Sequence, residues 1–193
     1  MIVKIISNLF AFIISTILIC AALYLVFPKW EAVQPMNPFV DKDVPLPTML
    51  HPVVKDYQSE LVDQAAKKGI NVVITEGHRS AERQNALYEK GRSEEGRIVT
   101  YAKAGESYHN YGLAIDFALR NENGGVSWDM EADRNGNGRS DWMEVVAIAK
   151  QLGFEWGGDW SKFKDYPHLQ MNFGLSIRQL KRGHRPKVES YAK

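Results

Sequence analysis

Cysteine is nearly missing from this chain of 193 residues: Cys20 is the only one. No internal disulfide can form, which excludes the small disulfide-stapled folds common among secreted proteins. Cys20 also lies in an apolar run near the amino terminus, so the rest of the chain has no thiol nucleophile. A dominant charge is missing too: 24 Lys and Arg oppose 23 Asp and Glu, for a net charge of +1. There is no glycine-rich phosphate loop, no basic stripe interleaved with aromatics and no internal repeat. Nucleic acid is therefore not an expected partner.

Charge is absent altogether from residues 5–27, where Ser7, Asn8, Ser15 and Thr16 are the only clearly polar side chains. Roughly 20 apolar residues span a bilayer as a helix, and a buried helix of a globular core would normally carry a polar stripe. Lys4 precedes the run, so the positive-inside rule keeps the amino terminus in the cytoplasm and sends the remainder across the membrane. The run exceeds the about 7–15 residues of a cleavable signal core, which favours a retained anchor. Cys20-Ala21-Ala22 offers a small-residue cleavage site as the alternative.

Six of the eight prolines fall between Pro28 and Pro52, the composition of an extended spacer. The expected organisation is a transmembrane signal anchor at 1–28, a proline-rich linker at 29–50, one folded domain at 51–182 and a basic tail at 183–193. From Arg178 onward six Lys and Arg face only Glu189. That segment reads either as a solvated terminus or as a contact for anionic polymers or phosphate head groups.

Within the domain, Val54, Tyr57, Leu61, Val62 and Ala65 recur at helical spacing, with Gly69 as a stop. The β-branched stretch 71–75 reads as a buried strand. Ser80 is placed to cap a helix running to about Gly91. Residues 112–119 alternate as a second strand, 142–152 form a helix ended by Gly153, 168–171 a short strand and 175–181 a closing helix. Helices and strands mix without a regular βαβ rhythm, so the expected fold is a small α+β domain.

Asp116 is the one charge in the second strand, and burying it among Leu, Ala, Ile and Phe is costly unless a cation neutralises it. His109 precedes it by seven residues, with Gly112 between them giving the chain room to turn. A His-x6-Asp pair alone is a weak signal, and ordinary core or surface roles are its more frequent reading. Downstream, His168 follows Asp165 by three residues. Two imidazoles and one carboxylate, with a fourth position left to water, is the usual holding of catalytic zinc. Asp165 would then act as a base on that water.

Residues 133–144 carry oxygen side chains at positions 1, 3, 5, 9 and 12 of a twelve-residue calcium loop: Asp133, Asn135, Asn137, Asp141 and Glu144. Gly138 holds position 6, and Arg139 at position 7 could offer its carbonyl. Ser140 replaces the usual aliphatic residue at position 8. The other reading is an Asn/Gly-rich turn whose acids face solvent. Zn2+ and, in the first reading, Ca2+ are the expected ions.

Several of these residues fall in ordered motifs: Gly77-His78-Arg79-Ser80 with Arg83 and Gln84, residues 99–103, the block 107–116, residues 156–160, and Asp165-Tyr166-Pro167-His168. Together they resemble the zinc peptidases of bacterial cell walls that include the D-alanyl-D-alanine carboxypeptidases. They look closest to the L-alanyl-D-glutamate peptidase branch. The resemblance implies a small antiparallel sheet carrying the zinc site, flanked by helices, as in the hedgehog-like and D-alanyl-D-alanine peptidase folds. It implies His109, Asp116 and His168 as zinc ligands, Asp165 as general base and acid, and Arg79 as the group facing the substrate carbonyl or oxyanion. Gln84 and Ser107 would hydrogen-bond either the substrate or the groups that hold the site, with plain structural roles the alternative. His78 stands where the family often has an aromatic and is expected to pack as a flat ring. Trp156 and Trp160 belong either to the cleft or to the core.

The implied substrate is the stem peptide of peptidoglycan, cut at its L-alanyl-D-glutamate bond by a membrane-anchored enzyme outside the cytoplasm, or by one secreted to the wall if the signal is cleaved. The D-alanyl-D-alanine enzymes typically carry Glu where this chain has Asp165, which favours the first bond. The alternatives are a D-alanyl-D-alanine carboxypeptidase and a zinc-stabilised wall-binding module without turnover.

Overall fold

The computed structural model describes residues 44–187. The expected anchor at 1–28 and most of the linker lie outside them. Among the described residues no helix is long and apolar enough to cross a membrane.

Helix α1 (Pro52–Lys67) starts with proline in its first turn, where the missing N–H costs nothing. It leads to β1 (Val72–Glu76) and then to α2 (Ala81–Glu89), whose Ser80 cap accepts the Arg83 N–H at 3.2 Å. A 3-10 turn (Tyr108–Tyr111) precedes the long strand β2 (Ala114–Arg120), which is followed by the two-residue strand β3 (Val126–Ser127). Helix α3 (Asp141–Gln151), β4 (Glu155–Trp156), a second 3-10 turn (Gly157–Asp159), β5 (His168–Gln170) and α4 (Ile177–Lys181) complete the order.

The sheet runs β1-β2-β5-β4, with β3 paired to the end of β2, and every pairing is antiparallel. This is the α+β architecture expected from the pattern. Successive residues of a strand face opposite sides. Ile115, Phe117 and Leu119 are buried in the core, where α1 and α3 contribute Leu61, Ala65, Val145 and Ala149. The Phe117 and Trp142 rings lie 4.4 Å apart there. Asp116 lies on the other side of β2. Register places Asp116 opposite His168, and Gln170 shares that side of β5 because Leu169 points into the core. One face of the sheet is thus core and the other carries chemistry.

Two stretches differ from the sequence reading. His109 lies in a 3-10 turn rather than an open loop, closed by Gly112 at φ +66°. A β-carbon at Gly112 would run into the Met49 carbonyl and the His51 nitrogen, so glycine is needed for close approach as well as for φ. In the segment read as a basic tail, Arg185 donates to the carbonyls of Val44 at 3.2 Å and Pro45 at 3.0 Å. That guanidinium ties the end of the spacer to the end of the domain.

Candidate metal centre and active-site cleft

Three side chains converge on the open face of the sheet. His109 Nε2 lies 3.1 Å from His168 Nδ1, and Asp116 Oδ1 lies 3.2 Å from each. Among the described residues this is the one group of three such side chains whose ligand atoms could hold a metal ion together. The 3-10 turn, the central strand and its neighbour each supply one ligand. Ser107 caps the turn by accepting the His109 N–H at 3.3 Å.

The outer nitrogens decide what the inner ones can be. His109 Nδ1 lies 2.7 Å from the Gly77 carbonyl, which only accepts, so Nδ1 carries the proton. His168 Nε2 lies 3.0 Å from Gln170 Oε1, while the Gln170 amide donates to Glu155 Oε2 at 2.8 Å. The carboxylate of Glu155 fixes which end of Gln170 faces His168, and the Asn172 amide also donates to it. His168 Nε2 is therefore the protonated nitrogen. In the neutral imidazoles both inner nitrogens turn lone pairs toward a carboxylate oxygen. Three electron-pair donors this close repel one another unless a cation lies among them, either a proton or a metal. Hydrogen bonding from the outer nitrogens in this way is the usual support of metal-binding histidines. Burial raises the Asp116 carboxyl, but the two imidazoles outweigh it and hold it below the ordinary carboxylate range, so it is an anion.

Arg79 closes the other side of Asp116, donating from Nη2 to Oδ2 at 3.3 Å and from Nη1 to Gln84 Oε1 at 3.1 Å. Its Nε lies 3.6 Å from Glu76 Oε2. The Arg79 N–H donates to the His109 carbonyl at 3.1 Å, and the Asn110 side chain donates to the Arg79 carbonyl at 2.8 Å. The guanidinium is therefore fixed by backbone and side chain before any ligand arrives. Asp165 lines the same cleft as His109, Asp116, His168 and Arg79, and burial raises its carboxyl. A raised carboxyl is easier to protonate, as a group that takes and returns a proton requires. The Asp165 N–H donates to the Gly157 carbonyl at 3.1 Å, and a β-carbon at Gly157 would collide with the Asp165 carbonyl.

The cleft encloses about 640 Å³. Trp160 lines it, with its ring 5.2 Å from that of His168, whereas Trp156 is buried and donates to the Tyr166 carbonyl. Ser107 lines the cleft as well. Gln84 does not: of its two expected places it takes the one behind the site, and the substrate-side place is corrected. Its side chain is fully buried, and its amide donates to the Ala102 carbonyl at 2.7 Å while its oxygen accepts from Arg79. His78 is half-buried and stands outside the ligand group. Gln170 and Glu155 were missed by sequence reasoning. The only signal for Gln170 was its place two residues after His168, on the same face of a strand.

The calcium reading of residues 133–144 finds no support. Asp133 accepts the N–H groups of Asn137 and Gly138, at 3.0 and 2.8 Å. Asn135 and Asn137 turn their amide nitrogens, not their oxygens, to Glu144 at 3.0 and 2.7 Å. Lys68 reaches the other Glu144 oxygen at 3.1 Å. Asp141 accepts from the Arg134 N–H at 2.9 Å, and the Arg139 N–H goes to Asn137. The oxygens of Asp133, Asn135, Asn137 and Glu144 that would ligate an ion already have partners within the loop or in Lys68, while Asp141 Oδ1 is buried without one. The bonds from Asn135, then Asn137 and Lys68, outweigh burial and hold the Glu144 carboxyl low, at about 2.

Known proteins resemble the chain across this cleft. Residues 100–171 match the family model described as D-alanyl-D-alanine carboxypeptidase. The chain is 64% identical over 130 residues to the peptidoglycan L-alanyl-D-glutamate endopeptidase CwlK of Bacillus subtilis (strain 168), covering 67% of this chain and 78% of that protein. It is 41% identical over 114 residues to the L-alanyl-D-glutamate peptidase of Listeria phage A118, covering 59% of this chain and 35% of the phage protein. Among solved structures, the Serratia marcescens L-Ala D-Glu endopeptidase ChiX is 26% identical, with a TM-score of 0.43 over 64% of this chain and 81% of its own. A zinc complex of a mutant of the vancomycin-resistance D,D-pentapeptidase VanY is 16% identical, with a TM-score of 0.47 over 78% and 90%.

Proposed function

The chain belongs to the bacterial wall peptidase family that includes the D-alanyl-D-alanine carboxypeptidases and the L-alanyl-D-glutamate endopeptidase of Bacillus subtilis, and on that premise we propose that it hydrolyses the L-alanyl-D-glutamate bond of peptidoglycan stem peptides. The observation that carries the chemistry is the meeting of the His109, Asp116 and His168 ligand atoms within 3.2 Å, in one cleft with Asp165 and Arg79. The identity with the Bacillus enzyme supports the choice of bond.

The donor set fits zinc: two neutral imidazole nitrogens and one carboxylate oxygen. Bound there, zinc would supply a Lewis acid and lower the pKa of a water to about 7. Asp165 takes the proton of the attacking water and returns it to the leaving amine of D-glutamate. Burial of its carboxyl brings its proton affinity nearer to neutral pH, where both transfers are efficient. Arg79 spends one N–H on Asp116 and one on Gln84, and the second proton on each terminal nitrogen remains for the carbonyl oxygen as it gains charge. Because Gln84, Glu76 and the 3-10 turn hold Arg79 in place, little reorganisation is needed at the moment of reaction.

The apolar run at residues 5–27 supports a single-pass anchor with the domain outside the cytoplasm, and the proline-rich spacer supports reach into the wall. The basic residues after Arg178 support approach to anionic wall polymers. The family description keeps one competitor in view, removal of terminal D-alanine. Incubating the purified full-length chain with isolated wall and identifying the new termini separates the two. Fragments newly beginning with glutamate are expected, and release of free D-alanine without them would support the carboxypeptidase.

A further inference from the structure

The cleft carries exposed aromatic rings that the two residues flanking the scissile bond do not call for. Tyr101, Trp128 and Phe163 are 68%, 55% and 51% exposed, rank among the most exposed large hydrophobics of the described residues, and line the same cleft as the metal ligands. Scattered exposed apolar residues need no explanation, but several gathered on one cleft mark a binding surface. The two residues flanking the scissile bond are alanine and glutamate, a methyl and a carboxylate, and neither matches an aromatic wall.

The chemistry on the acyl side of that bond supplies a better partner. In peptidoglycan the L-alanine is joined through a lactyl group to an amino sugar of the glycan strand. The sugar therefore begins no more than about two residue lengths, roughly 7 Å, from the scissile carbonyl. Pyranose rings present flat C–H faces that pack on exposed aromatic rings, while their hydroxyl and acetamido groups need polar partners. Thr100 and Glu106 line the same cleft and offer these.

The Tyr101 and Phe163 part of this wall is also prearranged. The Arg92 guanidinium donates to the Thr100 carbonyl at 3.1 Å and Gln84 donates to that of Ala102, so the backbone on both sides of Tyr101 is pinned while its ring stays exposed. The Tyr101 ring meets that of Phe163 edge-on, with centroids 5.8 Å apart. A platform already fixed loses little entropy on binding.

We infer that Tyr101, Trp128 and Phe163 form a saccharide subsite that binds the amino-sugar glycan from which the stem peptide hangs. This rests on the proposed cleavage of the L-alanyl-D-glutamate bond. It makes the enzyme a reader of glycan-attached peptide in preference to free peptide.

Two measurements on the full-length protein keep the claims apart. In the first, peptide-free N-acetylglucosamine–N-acetylmuramic acid disaccharide is titrated while tryptophan fluorescence is followed. A saturable change is expected, with affinity at least tenfold weaker in Trp128→Ala and in Tyr101→Ala. No saturable change, or equal affinity in both variants, overturns the subsite. In the second, kcat/KM is compared for glycan-attached and free tetrapeptide. The glycan-attached substrate is expected to be at least tenfold better, with that ratio falling toward one in Trp128→Ala. Equal rates on the two substrates overturn the subsite while leaving the bond assignment intact. Disaccharide binding without cleavage of either peptide overturns the bond assignment and leaves the subsite standing.

Discussion

Gln170→Leu is the substitution that most sharply probes how the metal centre is built. His168 is buried, and its Nε2–H has the Gln170 oxygen, at 3.0 Å, as its partner. Leucine keeps much of the side chain's bulk and removes the acceptor. A buried donor left without a partner costs about 1–3 kcal/mol. The imidazole can recover part of this by moving its proton to Nδ1, the nitrogen facing Asp116 and His109. That shift removes the lone pair a metal needs, so the cost appears in metal affinity. Loss of such a supporting partner typically weakens metal binding by about 10–100-fold. That equals about 1.4–2.8 kcal/mol, within the range for an unsatisfied donor. Glu155→Gln should cost less than tenfold, because its amide oxygen can still accept from Gln170. Zinc competition against a chromophoric chelator measures both, and thermal unfolding of the metal-free proteins separates misfolding from lost affinity. Wild-type affinity in Gln170→Leu, or a larger loss in Glu155→Gln than in Gln170→Leu, would refute the reasoning.

Three further perturbations follow from the same geometry. Asp165→Asn should lower kcat by about 10²–10⁴-fold, the scale of a lost general base, while zinc content by metal analysis stays at the wild-type value. Loss of the metal would instead mean that Asp165 is part of the ligand set. Gly112→Ala forces a β-carbon into the Met49 carbonyl at φ +66° and should cost more than 1 kcal/mol in denaturant unfolding; a neutral result would show that the turn can shift. The Glu144 carboxyl lies lower in the folded protein, at about 2, than its ordinary 4.5. Its contribution is therefore present above pH 4.5 and lost as pH falls toward 2. Glu144→Gln should accordingly be destabilised in thermal melts at pH 6 and match wild type near pH 2, and an equal deficit at both would contradict the assignment.

The long elements were legible because their signals are local. Proline in the first turn and helical spacing of apolar residues announced α1, and a serine cap announced α2. The lone charge in a buried strand announced Asp116, because an unneutralised carboxylate there is expensive. Strands β3 and β4 are two residues each, too short for a period-2 pattern to register. The roles of Gln170 and Glu155 depend on cross-strand pairing between Glu155 and Gln170, which no linear spacing reveals. Which side of the site Gln84 serves is not legible, because a polar residue near a site reads the same whether it faces ligand or supports Arg79. In the 133–144 loop, oxygen side chains spaced for a cation are also spaced to accept backbone N–H groups, and only the directions of the side chains distinguish the two.

The most direct test takes the full-length protein stripped of metal by a chelator, incubates it with purified wall with and without added zinc, and records the mass spectrum of the released fragments. Fragments newly beginning with D-glutamate are expected only when zinc is restored. The same fragments from the metal-free protein, or free D-alanine as the sole product with zinc, would contradict a zinc-dependent cut at the L-alanyl-D-glutamate bond.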